Sequence, residues 1–482
     1  MGSSIYCPSR HATRLHRDKP FMHDLVIHNV RAVHAQGSRR CDIGVSQGRI
    51  AEIRQRGKLS RGTYDIDGAG LHALPGLIDA HVHLREPGIV HKEGFATGTR
   101  AAAAGGVTTV MVMPTDNPVT LTPEQFEEKR RLASGQCHVD FALQVALGAD
   151  PGQVAALAAL GAVSFEIFLA DVSDSFLVPD AESLLACLAA VAKIGGIAGI
   201  TPGDHDVVTR RTAAIRARSS GAREDFPPTR PPVSEALGIA RACIAARETG
   251  ARIHIRQLSC QTGLAALQGL RRGIKVTAEV TPHNLMLDES ELLRQGPVAK
   301  VAPPLRAASD VRAMLRGLKR GAIDIVATDH APHLPAEKAA GDADIWKAPG
   351  GLAGLQTLLP VMLWLIEQGH IDLSDLVRTC ALAPADIFGL PHKGRISVGA
   401  DADLLLIDMS GQTVIRNQDQ LSKASRTPFD GMVVAGALGQ VFLRGQEIAR
   451  DGKPFGSPTG QFARPACPAS GVTSAARDKF SL

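Results

Sequence analysis

The sequence predicts an α/β architecture: a (β/α)8 TIM barrel with a small β-sandwich domain formed by both termini. Three observations predict it. Between Pro75 and Pro391, eight short apolar runs alternate with Ala/Leu/Arg-rich stretches of helical spacing. Eight strand–helix units within ~300 residues suit a closed parallel barrel. On either side, the chain changes to short segments of alternating apolar and polar residues with Gly turns. Polar residues also collect where the apolar runs end, the end at which such barrels carry their chemistry. A doubly wound open sheet is the main rival fold, but no G-x-G-x-x-G follows the first run.

Along the chain, residues 1–22 read as a flexible tail. They contain scattered basic residues and no apolar stretch of the kind a secretory signal needs. Residues 23–74, with "LVIHNVRAV" and "CDIGVSQGRIAEIRQ", form one half of a composite β-sandwich. The barrel takes residues 75–393. Its eight runs are "GLIDAHVHL", "GVTTVMVMP", "VDFALQVAL", "AVSFEIFLA", "GIAGIT", "ARIHIRQLS", "IKVTAEVTP" and "IDIVATDHA". One intervening helix carries its own start and stop signals. Thr122 is an N-cap, Pro123 suits the first helical position, Gln125 completes a capping box and Gly135 ends the helix. Residues 394–460, with "GRISVGADADLLLID" and "GMVVAGALGQVFLRGQEIARDG", return to short strands and complete the sandwich. Residues 461–482 read as a C-terminal tail.

Composition excludes several classes. Of 482 residues, 44% are hydrophobic and 21% charged, which supports a large core and argues against global disorder. The net charge of +5 is spread along the chain with no basic block, so nucleic acid is not an expected partner. No apolar stretch reaches the ~18–20 residues of a membrane span. The 8 cysteines include no C-x-x-C pair and sit mostly in apolar runs, as reduced thiols of a cytoplasmic protein do.

The chemistry concentrates at run ends. The first run ends in His81 and His83, followed by Arg85 and Glu86. Residues two apart on a strand face the same side, so both imidazoles can meet one metal ion. The eighth run ends in "ATDHAPH", placing Asp329, His330 and His333 beside the first run once a barrel closes. Asp329 can ligate the same ion or serve as general base to its water. Glu166, inside "SFEIFLA", is costly to bury unless paired or coordinated. The seventh run ends in His283; Thr201 and Gln257 read as hydrogen-bonding residues.

With "PGLIDAHVHLREPG", "HKEGFATGTRAAAAGGVTTVMVMPTDNP", "EVTPHNLML" and "TDHAPH", the chain resembles the dihydroorotase branch of the amidohydrolase superfamily, nearest class I dihydroorotases. The likeness runs from about Asp24 to Gly456. It implies a metal ion on His81, His83 and Asp329. It puts Glu166 where the family has a metal-bridging carboxylated lysine. Thr201 and Gln257 stand where a second ion would take histidines, so one divalent ion, Zn2+ first, is expected. Family resemblance also gives Arg85 and His333 to the substrate carboxylate. Thr115 replaces a supporting Asn there, and Asn117 stands two residues on.

The expected function is that of a dihydroorotase-like cyclic amide hydrolase. Metal-activated water would open a ring C–N bond of dihydroorotate or a related imide or ureide, with Asp329 as the catalytic base. Two alternatives remain: an inactive dihydroorotase-like subunit scaffolding aspartate transcarbamoylase, and an allantoinase- or hydantoinase-type hydrolase. The segment from Leu334 to Gly350 is expected to loop over the barrel mouth, and the resemblance implies a homodimer or larger assembly.

Overall fold

The computed structural model describes residues 22–466 of the chain. The expected tail before residue 22, the end from residue 467, Cys7 and Cys467 lie outside the described residues.

The eight apolar runs become eight parallel strands: β1 (Leu77–Val82), β2 (Val107–Val112), β3 (Asp140–Leu143, continuing after Gln144 as Val145–Ala146), β4 (Phe165–Phe168), β5 (Ile197–Thr201), β6 (Arg252–Ile255), β7 (Lys275–Val280) and β8 (Ile325–Val326). Each pairs in parallel with the next, for example Val110 with Phe141, Glu166 with Gly199 and Ile255 with Ala278. The ladder is interrupted at Gln144, where β3 passes from one hydrogen-bonded sheet to the other. The ring closes just beyond β8 through a parallel bridge between Val82 and His330, with the His83 N–H donating to the His330 carbonyl at 2.8 Å.

Buried Asp79 reinforces that closure. Its carboxylate accepts from the Thr328 N–H at 3.0 Å and from the Thr328 hydroxyl, joining β1 to the end of β8. Burial raises its pKa to about 6. Helices cover the outside of the ring, and Leu, Val, Ala and Phe side chains from both layers form the main core. The helix Pro123–Ala133 starts as the sequence predicts. Thr122 caps it, accepting from the Gln125 N–H at 3.3 Å in a capping box, and Gly135 follows at φ +81°.

Segments from both ends of the chain share one nine-stranded sheet. The strand His72–Pro75 joins them, running parallel to Leu25–His34 and antiparallel to Leu404–Val414. Eight of its strands form one hydrogen-bonded path, Tyr64–Asp67 pairs with Leu25–His34 off it, and Ile27, Ile43, Leu404, Leu406 and Phe442 pack in one apolar cluster on the sheet. Residues 461–466, read from sequence as tail, lie against the barrel instead. The Phe141 N–H donates to the Gln461 carbonyl at 3.0 Å, and the Phe462 ring packs 5.8 Å from that of Phe141. An aromatic side chain that buries apolar area holds this stretch in place.

A lysine joins barrel to sheet. The Lys393 ammonium reaches Asp140 at the start of β3 (2.5 Å), Asp403 (2.7 Å) and Asp401 (3.0 Å), and Arg444 pairs with the same Asp140. These three aspartates are close enough to cage a metal ion, but the ammonium already stands among them. The carboxylates hold the lysine's pKa above its ordinary value even though burial opposes this. Lys393→Met should therefore cost about 3 kcal/mol of stability at neutral pH by leaving buried carboxylates facing one another. Without the ammonium, those carboxylates bind protons more tightly in the folded state, so the deficit should shrink as pH falls through the carboxylate range. Chemical denaturation at several pH values checks this; a deficit independent of pH would refute the electrostatic account.

Candidate functional site

The barrel brings the ends of β1 and β8 together, and with them the predicted residues His81, His83 and Asp329. The His81 and His83 Nε2 atoms lie 3.3 and 3.2 Å from the same Asp329 oxygen, Oδ1. All three residues offer ligand atoms within 4.8 Å of one another. Asp329, Arg85 and Gln257 all adopt left-handed backbone conformations (φ +50°, +61° and +51°), a strain that concentrates at functional sites.

The far side of each imidazole is also held. His81 Nδ1 is 2.5 Å from Glu279 Oε1, and His83 Nδ1 is 2.6 Å from the Thr115 hydroxyl. A carboxylate only accepts, so a His81 proton sits on Nδ1 toward Glu279, and Nε2 is the nitrogen left on the Asp329 side. With the Thr115 hydroxyl accepting, His83 has the same arrangement. Two ring nitrogens and a carboxylate oxygen then converge on one point, a set of atoms that can hold a cation. Two imidazoles and a carboxylate suit a divalent ion such as zinc.

Burial pushes the His83 pKa down to about 3, leaving a neutral ring, whereas Glu279 and Asp329 outweigh burial at His81 and raise its pKa above the ordinary value. Burial works against charge on Asp329 too, but His81 and His83 outweigh it and hold the carboxyl below its ordinary value. Gln257 Nε2 donates to the other Asp329 oxygen at 2.5 Å and fixes its rotation. His283, at the end of β7, is buried and within electrostatic reach of Asp329 and His81, and burial lowers its pKa to about 4.

The structure does not bring Glu166 to this cluster as a fourth ligand. Its Oε1 accepts from the Ser164 hydroxyl (2.6 Å) and Arg256 Nη2 (2.8 Å), and its Oε2 from Arg256 Nε (3.0 Å). Both oxygens face a guanidinium, and Glu166 is not in the group of ligand atoms formed by His81, His83 and Asp329. The backbone of β5 makes room for it at Gly199, where a Cβ would stand 2.1 Å from Glu166 Oε2. Thr201 ends β5, and Gln257 is a hydrogen-bonding residue, as read from sequence.

Arg85 is half-buried, and its Nε is buried without a hydrogen-bond partner. Buried donors are rarely left unpaired, so this one is open to an incoming acceptor. His333 stands close to Arg85, but both of its nitrogens are engaged. Nε2 donates to the Gly350 carbonyl (3.1 Å) and Nδ1 accepts from Lys92 Nζ (3.2 Å). Burial, with Arg85 and Lys92 adding to it, lowers the His333 pKa to about 2, so its ring is neutral. Asn117 is exposed, and its side chain forms no hydrogen bond among the described residues. Thr115 supports His83 and sits on a loop anchored by buried Lys129, which donates to the Met113 carbonyl at 2.7 Å and pairs with Asp116.

The segment from Leu334 to Gly350 is a pinned rim. Lys338 donates to the carbonyls of Lys300 (2.7 Å) and Pro349 (3.1 Å), and Lys300 to those of Ile345 (2.8 Å) and Ala348 (2.5 Å). Trp346 Nε1 donates to Ser219, tying this rim to the loop beyond β5. Sequence reasoning missed Lys92, Glu279 and Arg256. Glu279 in "VTAEVTP" and Arg256 in "IHIRQLS" carried the signal that singled out Glu166, a charge inside an apolar strand.

Residues 70–171 match a family described as dihydro-orotase-like, and residues 241–448 match the amidohydrolase family. The allantoinase of Deinococcus radiodurans is 36% identical over 453 residues, covering 92% of this chain and 99% of its own. The dihydroorotase of Halobacterium salinarum is 37% identical over 405 residues, covering 81% and 92%. Among solved structures, the L-hydantoinase (dihydropyrimidinase) from Arthrobacter aurescens superposes with a TM-score of 0.88 at 30% identity, covering 92% of this chain and 100% of its own. An identity of 36% sustained over 92% of the chain, on a fold shared to a TM-score of 0.88, makes this protein a member of the amidohydrolase family.

Proposed function

We propose that the protein is a one-metal hydrolase that opens a ring C–N bond of a cyclic amide or ureide carrying a carboxylate, the class to which dihydroorotate belongs. The observation that carries this reading is the convergence of His81 Nε2, His83 Nε2 and Asp329 Oδ1, with each imidazole's other nitrogen already occupied. His81, His83 and Asp329 would hold the ion, with zinc the first choice. A divalent ion there supplies an acidified water and polarises the carbonyl to be attacked.

The chain's own residues do the rest. Asp329 takes the proton of the attacking water and returns it to the leaving ring nitrogen, the general base and acid of one turnover. Gln257 holds the carboxylate in the rotation that keeps Oδ1 toward the histidines. Arg85 receives the substrate carboxylate on its unpartnered edge, and the neighbouring Lys92 adds positive charge to that wall. His333 acts indirectly, anchoring Lys92 to the Gly350 carbonyl. Glu166 serves the barrel interior, not the ion. Soluble expression in the cytoplasm and assembly as a dimer or larger complete the reading; among the described residues no helix is long and apolar enough to cross a membrane.

Relatives named allantoinase favour a second reading, a neutral ureide ring. Purified protein should carry about one metal ion per chain and open dihydroorotate. His81→Ala should lose the metal, as read by elemental analysis; unchanged content would show that the ion sits elsewhere. Arg85→Met should lower kcat/KM on dihydroorotate at least tenfold, the loss of a charge-assisted pair worth ~1.5–3 kcal/mol. It should leave turnover of allantoin much less affected. Turnover of allantoin alone would replace the carboxylate-bearing substrate with the neutral ring. A metal-free protein inactive on both would favour the inactive subunit that scaffolds aspartate transcarbamoylase.

A further inference from the structure

Arg256 is fully buried in the barrel interior, and all five of its N–H groups are used. Nε and Nη2 grip Glu166 at 3.0 and 2.8 Å. Nη1 donates to Glu279 Oε2 (2.9 Å) and the Ala80 carbonyl (3.0 Å), and Nη2 also donates to Gln144. The candidate metal site uses none of these bonds directly. One of them nevertheless ends on the carboxylate that holds His81.

Glu279 is shared out atom by atom. Its Oε2 faces Arg256 and His254 Nε2 (3.1 Å), and its Oε1 faces His81 Nδ1 and the Gln257 N–H (3.3 Å). The rotation of this carboxylate therefore fixes the plane of the His81 ring, and Arg256 fixes that rotation. We propose that Arg256 is a positioning residue of the candidate metal centre, acting through Glu279 on the His81 imidazole. The proposal rests on the metal reading above. The guanidinium also keeps Glu166 turned away from the ion, so one buried side chain selects which carboxylates face the metal and which do not. Partners of metal-ligating histidines typically change metal affinity 10–100-fold when lost.

The test is metal affinity and the cobalt(II) absorption spectrum of the full-length protein, measured by competition against a chromophoric chelator. Arg256→Lys keeps the charge but loses the fork, and should weaken binding about tenfold and shift the cobalt bands. Glu279→Gln should do the same, and the double variant should be no weaker than the weaker single, because both act along one line. A purely structural arginine would lower thermal stability and leave the affinity and spectrum of folded protein unchanged; that result overturns the proposal, as do losses that simply add. If Arg256→Lys does not fold, Glu166→Gln loosens the guanidinium without touching His81, and wild-type affinity in that variant overturns it equally. His81→Ala separates the two readings. Metal retained there defeats the site itself, whereas metal lost there but held normally by Arg256→Lys defeats only this inference.

Discussion

A guanidinium with no solvent around it stands in the middle of this barrel. Arg256 directly follows β6 and bonds to residues on β1, β4 and β7 and to Gln144 at the break in β3. Barrel interiors are usually filled by layers of branched apolar side chains. Here part of that filling is ionic, and it succeeds because every donor of the guanidinium has an acceptor. Removal of any one acceptor would strand a charge where water cannot reach it. The strands are thus held in register by geometry as well as by packing.

The same network reaches the mouth of the barrel. Glu279 has one oxygen in the interior cluster and one on His81, so it passes orientation from the core to the strand ends. His83 takes its orientation from the opposite direction, through Thr115 and a loop that Lys129 ties to its helix. The two histidines facing Asp329 are therefore set by independent supports, one below and one beside. Independent supports keep two rings aimed at one point more reliably than a single shared partner would, because an error in one is not inherited by the other.

Features carried by local signals were legible in the sequence. The eight strands follow from short apolar runs, the start of helix Pro123–Ala133 from a capping box within four residues, and the His81/His83 pair from the two-residue strand period. Asp329 was legible once strands one and eight were neighbours. What stayed hidden depends on partners distant in the chain. Glu166 was correctly read as a charge that needs a partner, but Arg256 lies 90 residues away, and spacing alone could not choose it over a metal ion. Glu279 carried the same signal on β7 and went unread beside the more obvious histidine that follows it. His333 looked like a substrate ligand because nothing in the sequence places Lys92 and the Gly350 carbonyl on its two nitrogens.

The rim above the site obeys a different rule from the interior. Lys300 and Lys338 donate to backbone carbonyls, and burial lowers their pKa values to about 8 and about 7. An amine with carbonyl partners needs no countercharge to stay bonded, since a neutral amine still donates. The rim therefore keeps its hydrogen bonds across neutral pH, whichever protonation state the two amines hold. Arg85 and Lys92 also stand beside the site, and Lys92 has a carboxylate at contact, Glu337 at 3.0 Å. Arg85 has no ion pair among the described residues, and its buried Nε has no hydrogen-bond partner there. On the proposed reading, an anionic group arriving at the mouth would meet this guanidinium, and a preorganised charge of that kind is where binding gains selectivity for one charged ring over a neutral one.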